Sequence, residues 1–174
     1  MPASTIPDVT NPTSLADYLR VMTRAVFQTG LSWRAIAAHW ESYEREFHDF
    51  DVNDVGTFGD LDIDRLMHAD GVLHSSRKIR ATIKNAQTLL ELDREHAGFA
   101  KYLGSFPTYK ALAGDLKRRF VFMGEMNAWY FLFRTGHPVP PFEQWVKTIP
   151  GDHPRMKEMV EKARNEGRSS ELLQ

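Results

Sequence analysis

Residues 125–135, EMNAWYFLFRT, are apolar almost all the way round a helix, and a helix without a polar face has to be enclosed by the rest of its chain. Gly136, Pro138, Pro140 and Pro141 then stop it. The other patterned segments are amphipathic at helical spacing, as coverings of such a centre should be. Thr13 or Ser14 can cap a helix with Leu15, Tyr18, Leu19, Met22 and Val26 on one side, closed by Gly30. Ser32 can cap a second with Trp33, Ile36, Ala37, Trp40, Tyr43 and Phe47 in one stripe. Asp/Asn caps predict two short helices, Val52 to Phe58 and Ile63 to His68, closed by Gly71. Ser75 or Ser76 opens the longest, Arg77 to about Glu95, with Ile79, Ile83, Ala86 and Leu90 in a buried line. Thr108 to Arg118 and Pro154 to Asn165 complete the set. No segment alternates as a strand would, so the expected fold is all-α.

The 174 residues suit one domain over 13–174, preceded by an extended arm, 1–12, that holds three of the nine prolines. No run is long and apolar enough for a membrane span, and the first residues lack the pattern of a secretion signal. A cytoplasmic monomer is the expectation. With Lys+Arg 22 and Asp+Glu 23 the net charge is −1, so any binding of nucleic acid has to come from local patches. Two are evident. Arg77, Lys78, Arg80 and Lys84 crowd the start of a helix, where its dipole disfavours cations, and Lys117, Arg118 and Arg119 precede the tight FVFMG connection. A helix, a five-residue hairpin with glycine and a second helix can offer backbone N–H groups to a DNA phosphate, although a plain αα-hairpin reads alike.

The runs FQTGLSWRAIAAHWESYEREFHDFD, DIDRLMHADGVLHSSRKIRATIKNAQTLLEL, FAKYLGSF and LKRRFVFMGEMNAWYFLFRTG resemble, in order, the DNA-3-methyladenine glycosylase I family of the helix-hairpin-helix glycosylase superfamily. The likeness extends over about residues 13 to 137. It implies a two-lobed helical fold that flips a damaged base from duplex DNA and hydrolyses its N-glycosidic bond. By that resemblance Leu31 is the apolar wedge and Trp33 the wall on which the base stacks, with Gln28 beside the base. Taken alone, Leu31 reads equally as a loop anchor and Trp33 as the start of a core stripe. Gly124 resembles the glycine next to the phosphate, and Arg77, Lys78, Lys84, Lys117, Arg118 and Arg119 are the candidate DNA contacts.

The departures are specific. The family's purine-reading glutamate falls at Ala25. Its zinc clasp uses cysteines, and this chain has none, so no metal and no cofactor is expected. Arg119 stands where the family's hairpin has another glycine, and Glu125 follows Gly124 where a phosphate would sit, either pointing away or repelling it. Related superfamily enzymes place an acidic residue after the hairpin's second helix. Glu143 is the candidate here, as a group that activates water or stabilises the sugar cation, against the reading that it is merely exposed. Asp152 is a weaker one. The seven histidines are dispersed, without the spacing of a metal site. The expected function is excision of an alkylated purine of the 3-methyladenine type. The alternatives are a noncatalytic protein that binds damaged DNA and a glycosylase for another lesion. Chelation with EDTA is expected to leave Tm unchanged. Stoichiometric zinc in the purified protein, with loss of the fold on its removal, is the contrary result.

Overall fold

The computed structural model describes residues 11–151, and all regular structure among them is helical. Most of the 1–12 arm, the expected 154–165 helix, Asp152 and His153 lie outside the described residues. Among the described residues the α-helices are α1 (Leu15–Gln28), α2 (Trp33–Ala38), α3 (Trp40–Glu46), α4 (Val52–Gly56), α5 (Asp60–Met67), α6 (Ser76–His96), α7 (Phe99–Leu103), α8 (Tyr109–Arg119), α9 (Glu125–Arg134) and α10 (Phe142–Trp145). Ser14, Ser75 and Thr108 cap α1, α6 and α8, each through a side-chain oxygen that accepts a backbone N–H three residues on.

The 33–47 stripe, expected as one helix, is broken. At His39 (φ −117°, ψ 15°) the chain leaves helical geometry, and the His39 amide bonds back three residues, to the Ile36 carbonyl. The break lets Trp40 stack on both Tyr43 and Phe50, at 5.2 and 5.4 Å between ring centroids. Gly71 explains how closely the next loop approaches α3: its φ is +83°, and an added Cβ would lie 2.2 Å from Ser42 Oγ. Helix α5 starts three residues before the expected Ile63 because Asp62 reaches back to accept the Gly59 N–H.

Helix α9 is the centre. Ala128, Phe131 and Leu132 enter the main core, where α9 packs on α1 and α8. Trp129 and Phe133 enter a smaller aromatic cluster with Phe142 and Trp145. Tyr130 enters a third, with Ala25 and Trp33. Each face thus meets a different partner, and this is why the segment is apolar all round. Helix α6 packs on α1, α4, α5 and α7 and buries Ile79, Ile83, Ala86, Leu89 and Leu92.

The basic end of α8 is tied down by Asp115, a buried carboxylate. It accepts the Tyr102 hydroxyl at 2.5 Å, Arg119 Nε at 2.8 Å and the Arg118 guanidinium. Burial raises the Asp115 pKa, but these hydrogen bonds outweigh it and hold the carboxyl below its ordinary value of 3.8. Its stabilisation is therefore full above that value and is lost as pH falls through the lowered one. Asp115→Asn is expected to cost about 1–3 kcal/mol at pH 7 in urea melts. The gap between variant and wild type should close in strong acid, and equal stability at neutral pH would contradict the assignment.

Candidate functional site

Helix α1 ends at Gln28, and the loop Thr29-Gly30-Leu31-Ser32 turns the chain into α2. Gly30 takes φ +78°, and Ser32 accepts the Arg34 N–H. Leu31 is partly buried against the edge of the main core, so its side chain is held at the loop and not enclosed. Beneath the loop, Lys78 Nζ donates to the carbonyls of Phe27 at 3.2 Å and Thr29 at 2.6 Å. These are carbonyls that a helix end leaves unpaired. Two of the three ammonium N–H groups of Lys78 are thus committed to the loop, and the third is left for another acceptor such as a phosphate.

Trp33 opens α2 at 3% exposure and packs with Ala25, Tyr130 and Val21. The Arg34 guanidinium lies 4.6 Å from its ring centroid. Around this cluster several polar atoms are buried without a hydrogen-bond partner: Arg24 Nε, Gln28 Nε2 and the Tyr130 hydroxyl. Arg24 lies over Trp40 at 4.7 Å. Its burial lowers its pKa, offset in part by Tyr130 and Glu44. Glu44 is itself engaged by Arg20 Nε and Trp40 Nε1. Position 25, which faces Trp33 and Tyr130, thus offers a methyl group, while Arg24 and Gln28 beside it offer hydrogen-bond donors. Buried donors without partners are costly, and an acceptor brought to them would recover that cost; Thr23, Arg65 and Tyr109 elsewhere also bury a polar atom in this way.

The hairpin between α8 and α9 is held from α6. Asn85 Nδ2 donates to the Val121 carbonyl at 3.1 Å, and Asn85 Oδ1 accepts the Val121 N–H at 2.8 Å. Phe122 has φ +59° and lies under Arg77, 5.2 Å from the guanidinium. Gly124 is the N-cap of α9, is exposed, and would present an added Cβ to open space, so the protein's own packing does not require glycine there. Glu125 is exposed in the first turn. Lys117 is exposed, whereas Arg118 and Arg119 are paired with Asp115. Lys84 faces elsewhere: with Arg80 it lines a groove of about 280 Å³ closed by Phe58, Asp60 and Ile63. Glu143 is exposed on α10, whose buried side packs on the Trp129 face of α9, while Trp33 packs with Tyr130. The structure thus sets Gln28, Leu31 and Trp33 along one loop between α1 and α2, places Arg77 and Gly124 at the hairpin, and sets Lys84 apart.

Residues the sequence reading passed over include Arg24, Tyr130, Asn85, Asn127 and Asp115. A polar side chain inside an apolar stripe was the available signal for Tyr130 and Asn85. The donors for a zinc clasp do not fit either. The chain has no cysteine, and His68, His74 and His96 each hydrogen-bond a nearby backbone carbonyl. Among the described residues no three His, Asp or Glu side chains are grouped to hold a metal.

A helical domain with this loop and hairpin around a central helix has the helix-hairpin-helix DNA glycosylase fold. A methyladenine glycosylase family model matches residues 16–119, and the chain belongs to that family. DNA-3-methyladenine glycosylase of Haemophilus influenzae is 29% identical over 130 residues, which cover 63% of this chain and 70% of the relative. DNA-3-methyladenine glycosylase 1 of Escherichia coli is 31% identical over 83 residues, 48% and 44% of the two chains. The solved 3-methyladenine DNA glycosylase I of Staphylococcus aureus superposes with a TM-score of 0.67 at 26% identity, over 75% of this chain and 80% of its own. A variant of the same enzyme type, solved with 3-methyladenine, gives 0.67 and 26%, over 75% and 81%.

The two kinds of lysine should separate experimentally. Lys78→Met is expected to lower stability by about 1–2 kcal/mol, because it removes both bonds to the loop carbonyls. Lys117→Ala is expected to leave stability alone and reduce the log–log slope by about 0.9. Unchanged stability of Lys78→Met in urea melts would contradict the anchoring role.

Proposed function

We propose that the protein is a base-excision DNA glycosylase that extrudes an alkylated purine of the 3-methyladenine type from duplex DNA and hydrolyses its N-glycosidic bond. We further read it as a cytoplasmic monomer, needing no metal or cofactor and no membrane, with residues 13–174 acting as one domain. The observation that carries the reading is the cluster of Trp33, Ala25 and Tyr130, with unpaired buried donors, directly beside the Leu31 loop. In this reading Leu31 fills the gap left in the stack, Trp33 supports the extruded base, and Gln28 meets its edge. Gly124 and the first N–H groups of α9 receive a phosphate, while Arg77 and Lys117 supply charge.

The chemistry asks little of the protein. In a cationic alkylated purine the bond from C1′ to the base nitrogen breaks with its electron pair passing to the base, which neutralises it as it leaves. Water then bonds to C1′ and gives up a proton. Extrusion, a stacked site and water near C1′ therefore suffice for much of the rate. Glu143 is the candidate to take that proton or to stabilise the sugar cation. Helix α10, packed on Trp129, is the support that would hold it.

One observation favours a second lesion class. Arg24 can only donate hydrogen bonds, and no carboxylate stands at position 25. A purine with acceptors at O6 and N7 satisfies such donors, whereas the exocyclic amine of an adenine-type base does not. Alkylated guanine is thus the alternative within the same activity.

The test is duplex DNA carrying methylated, deaminated and oxidised bases, with released base and abasic sites scored separately from binding. Excision of a methylated purine is expected. Trp33→Ala should reduce it by about tenfold to a hundredfold, the worth of one base–aromatic stack. Glu143→Gln should slow single-turnover excision without weakening binding, and Leu31→Ala should weaken only the extruded complex. Ala25→Glu should raise activity on 3-methyladenine. Binding without release of any base, by wild type and Ala25→Glu alike, would instead establish a noncatalytic damaged-DNA binder.

A further inference from the structure

The wedge loop and the hairpin each have their own anchor to α6: Lys78 on Phe27 and Thr29, Asn85 on Val121. Asn127, in the first turn of α9, makes a connection that neither anchor supplies. Its Nδ2 donates to Thr29 Oγ1 at 2.9 Å and to the Phe122 carbonyl at 2.7 Å. The two loops it joins are far apart in sequence, Thr29 and Asn127 being separated by 98 positions. The direction of every bond is fixed. The Thr29 hydroxyl gives its own proton to the Ala25 carbonyl at 3.0 Å and so receives one from Asn127, and a carbonyl can only accept. Both amide hydrogens of Asn127 are thereby used, and its oxygen cannot replace its nitrogen.

Several features make the bridge mechanical. Phe122 holds a left-handed backbone conformation at the hairpin, two residues before Gly124. Thr29 immediately precedes Gly30, the left-handed hinge of the wedge loop. Asn127 itself rides on the helix that the whole core grips, so it transmits displacement and does not absorb it. On the far side the same Thr29 hydroxyl ends on Ala25, which lines the Trp33 cluster. Phosphate site, wedge and base site are connected through one primary amide.

We propose that Asn127 is a positioning residue that couples seating of a phosphate at the hairpin to insertion of Leu31 and extrusion of the base. The proposal rests on the reading of those two elements as DNA contacts. Because both loops keep their α6 anchors without it, the bridge is dispensable for the fold and for simple adhesion to DNA, and is needed for the step that uses both loops at once.

Thr29→Val cuts the wedge side alone at nearly constant volume. Asn127→Leu cuts both sides, and Asn127→Asp, of the same shape, sets an oxygen against the Phe122 carbonyl. The probe is a duplex methylated at a purine, with 2-aminopurine beside the lesion to report extrusion. Measurements are single-turnover excision, 2-aminopurine fluorescence, Kd for undamaged duplex, and Tm. In Thr29→Val, extrusion and excision are expected to fall about tenfold, on the scale of one lost hydrogen bond, with undamaged Kd within about twofold and Tm little changed. Asn127→Asp should fall at least as far. Unchanged extrusion in Thr29→Val, or a parallel loss of undamaged binding, would overturn the coupling. If Asn127→Leu melts early, Thr29→Val decides. If wild type extrudes but excises nothing, the glycosylase reading fails and the coupling is still judged by fluorescence.

Discussion

Everything in this molecule is arranged around the enclosure of one ten-residue helix. Helix α9 has no long face for water, so three separate layers of chain close over it: α1 and α8 on one side, the Pro-rich segment with α10 on another, and α1 with the start of α2 on the third. The Trp129 ring illustrates how this is secured. It stacks on Phe133 and Trp145 at 4.9 and 5.2 Å between centroids, and its indole N–H donates to the Pro140 carbonyl, so even its polar edge is satisfied inside. Burial of one such aromatic contributes on the order of 2–3 kcal/mol, and α9 contributes several.

The enclosure places the functional parts. The loop that holds Leu31 must lie next to Tyr130, because α1 and α2 are brought together over that face. The hairpin must lie at the N-terminal end of α9, because it feeds the helix. The Leu31 loop and the hairpin, the proposed base and phosphate sites, thus both meet α9, and α6 anchors each through Lys78 and Asn85. Within this frame Arg24 Nε and Gln28 Nε2 are buried donors without a hydrogen-bond partner, next to position 25. The main departure from the family pattern, Ala25, lies between these two positions on α1.

Helices and caps were readable because their signals are local. Ser14, Ser75 and Thr108 each announce a helix by a side chain that needs only its own next turn. The blocks around QTGLSW and FVFMG identified the fold and the two loops. The break at His39 was not readable, because the stripe from Trp33 to Phe47 keeps helical spacing and the kink is selected by stacking of Trp40 on Phe50, a tertiary effect. Lys78 and Lys84 looked equivalent on the sequence, yet six positions along α6 turn one toward the carbonyls of α1 and the other toward α5. The Asn127 bridge likewise joins positions 98 residues apart, a pairing that no local pattern encodes.

The central claim is that the Trp33 cluster receives an extruded base while Leu31 occupies its place in the duplex. A crystal structure of the protein with a duplex containing an abasic-site analogue, soaked with a free methylated purine, tests it most directly. The account predicts Leu31 in the gap, a phosphate at Gly124, and the purine stacked on Trp33 with an acceptor edge toward Arg24 and Gln28. DNA lying along the Arg80 and Lys84 groove, with the Trp33 cluster closed and empty of base, would contradict it.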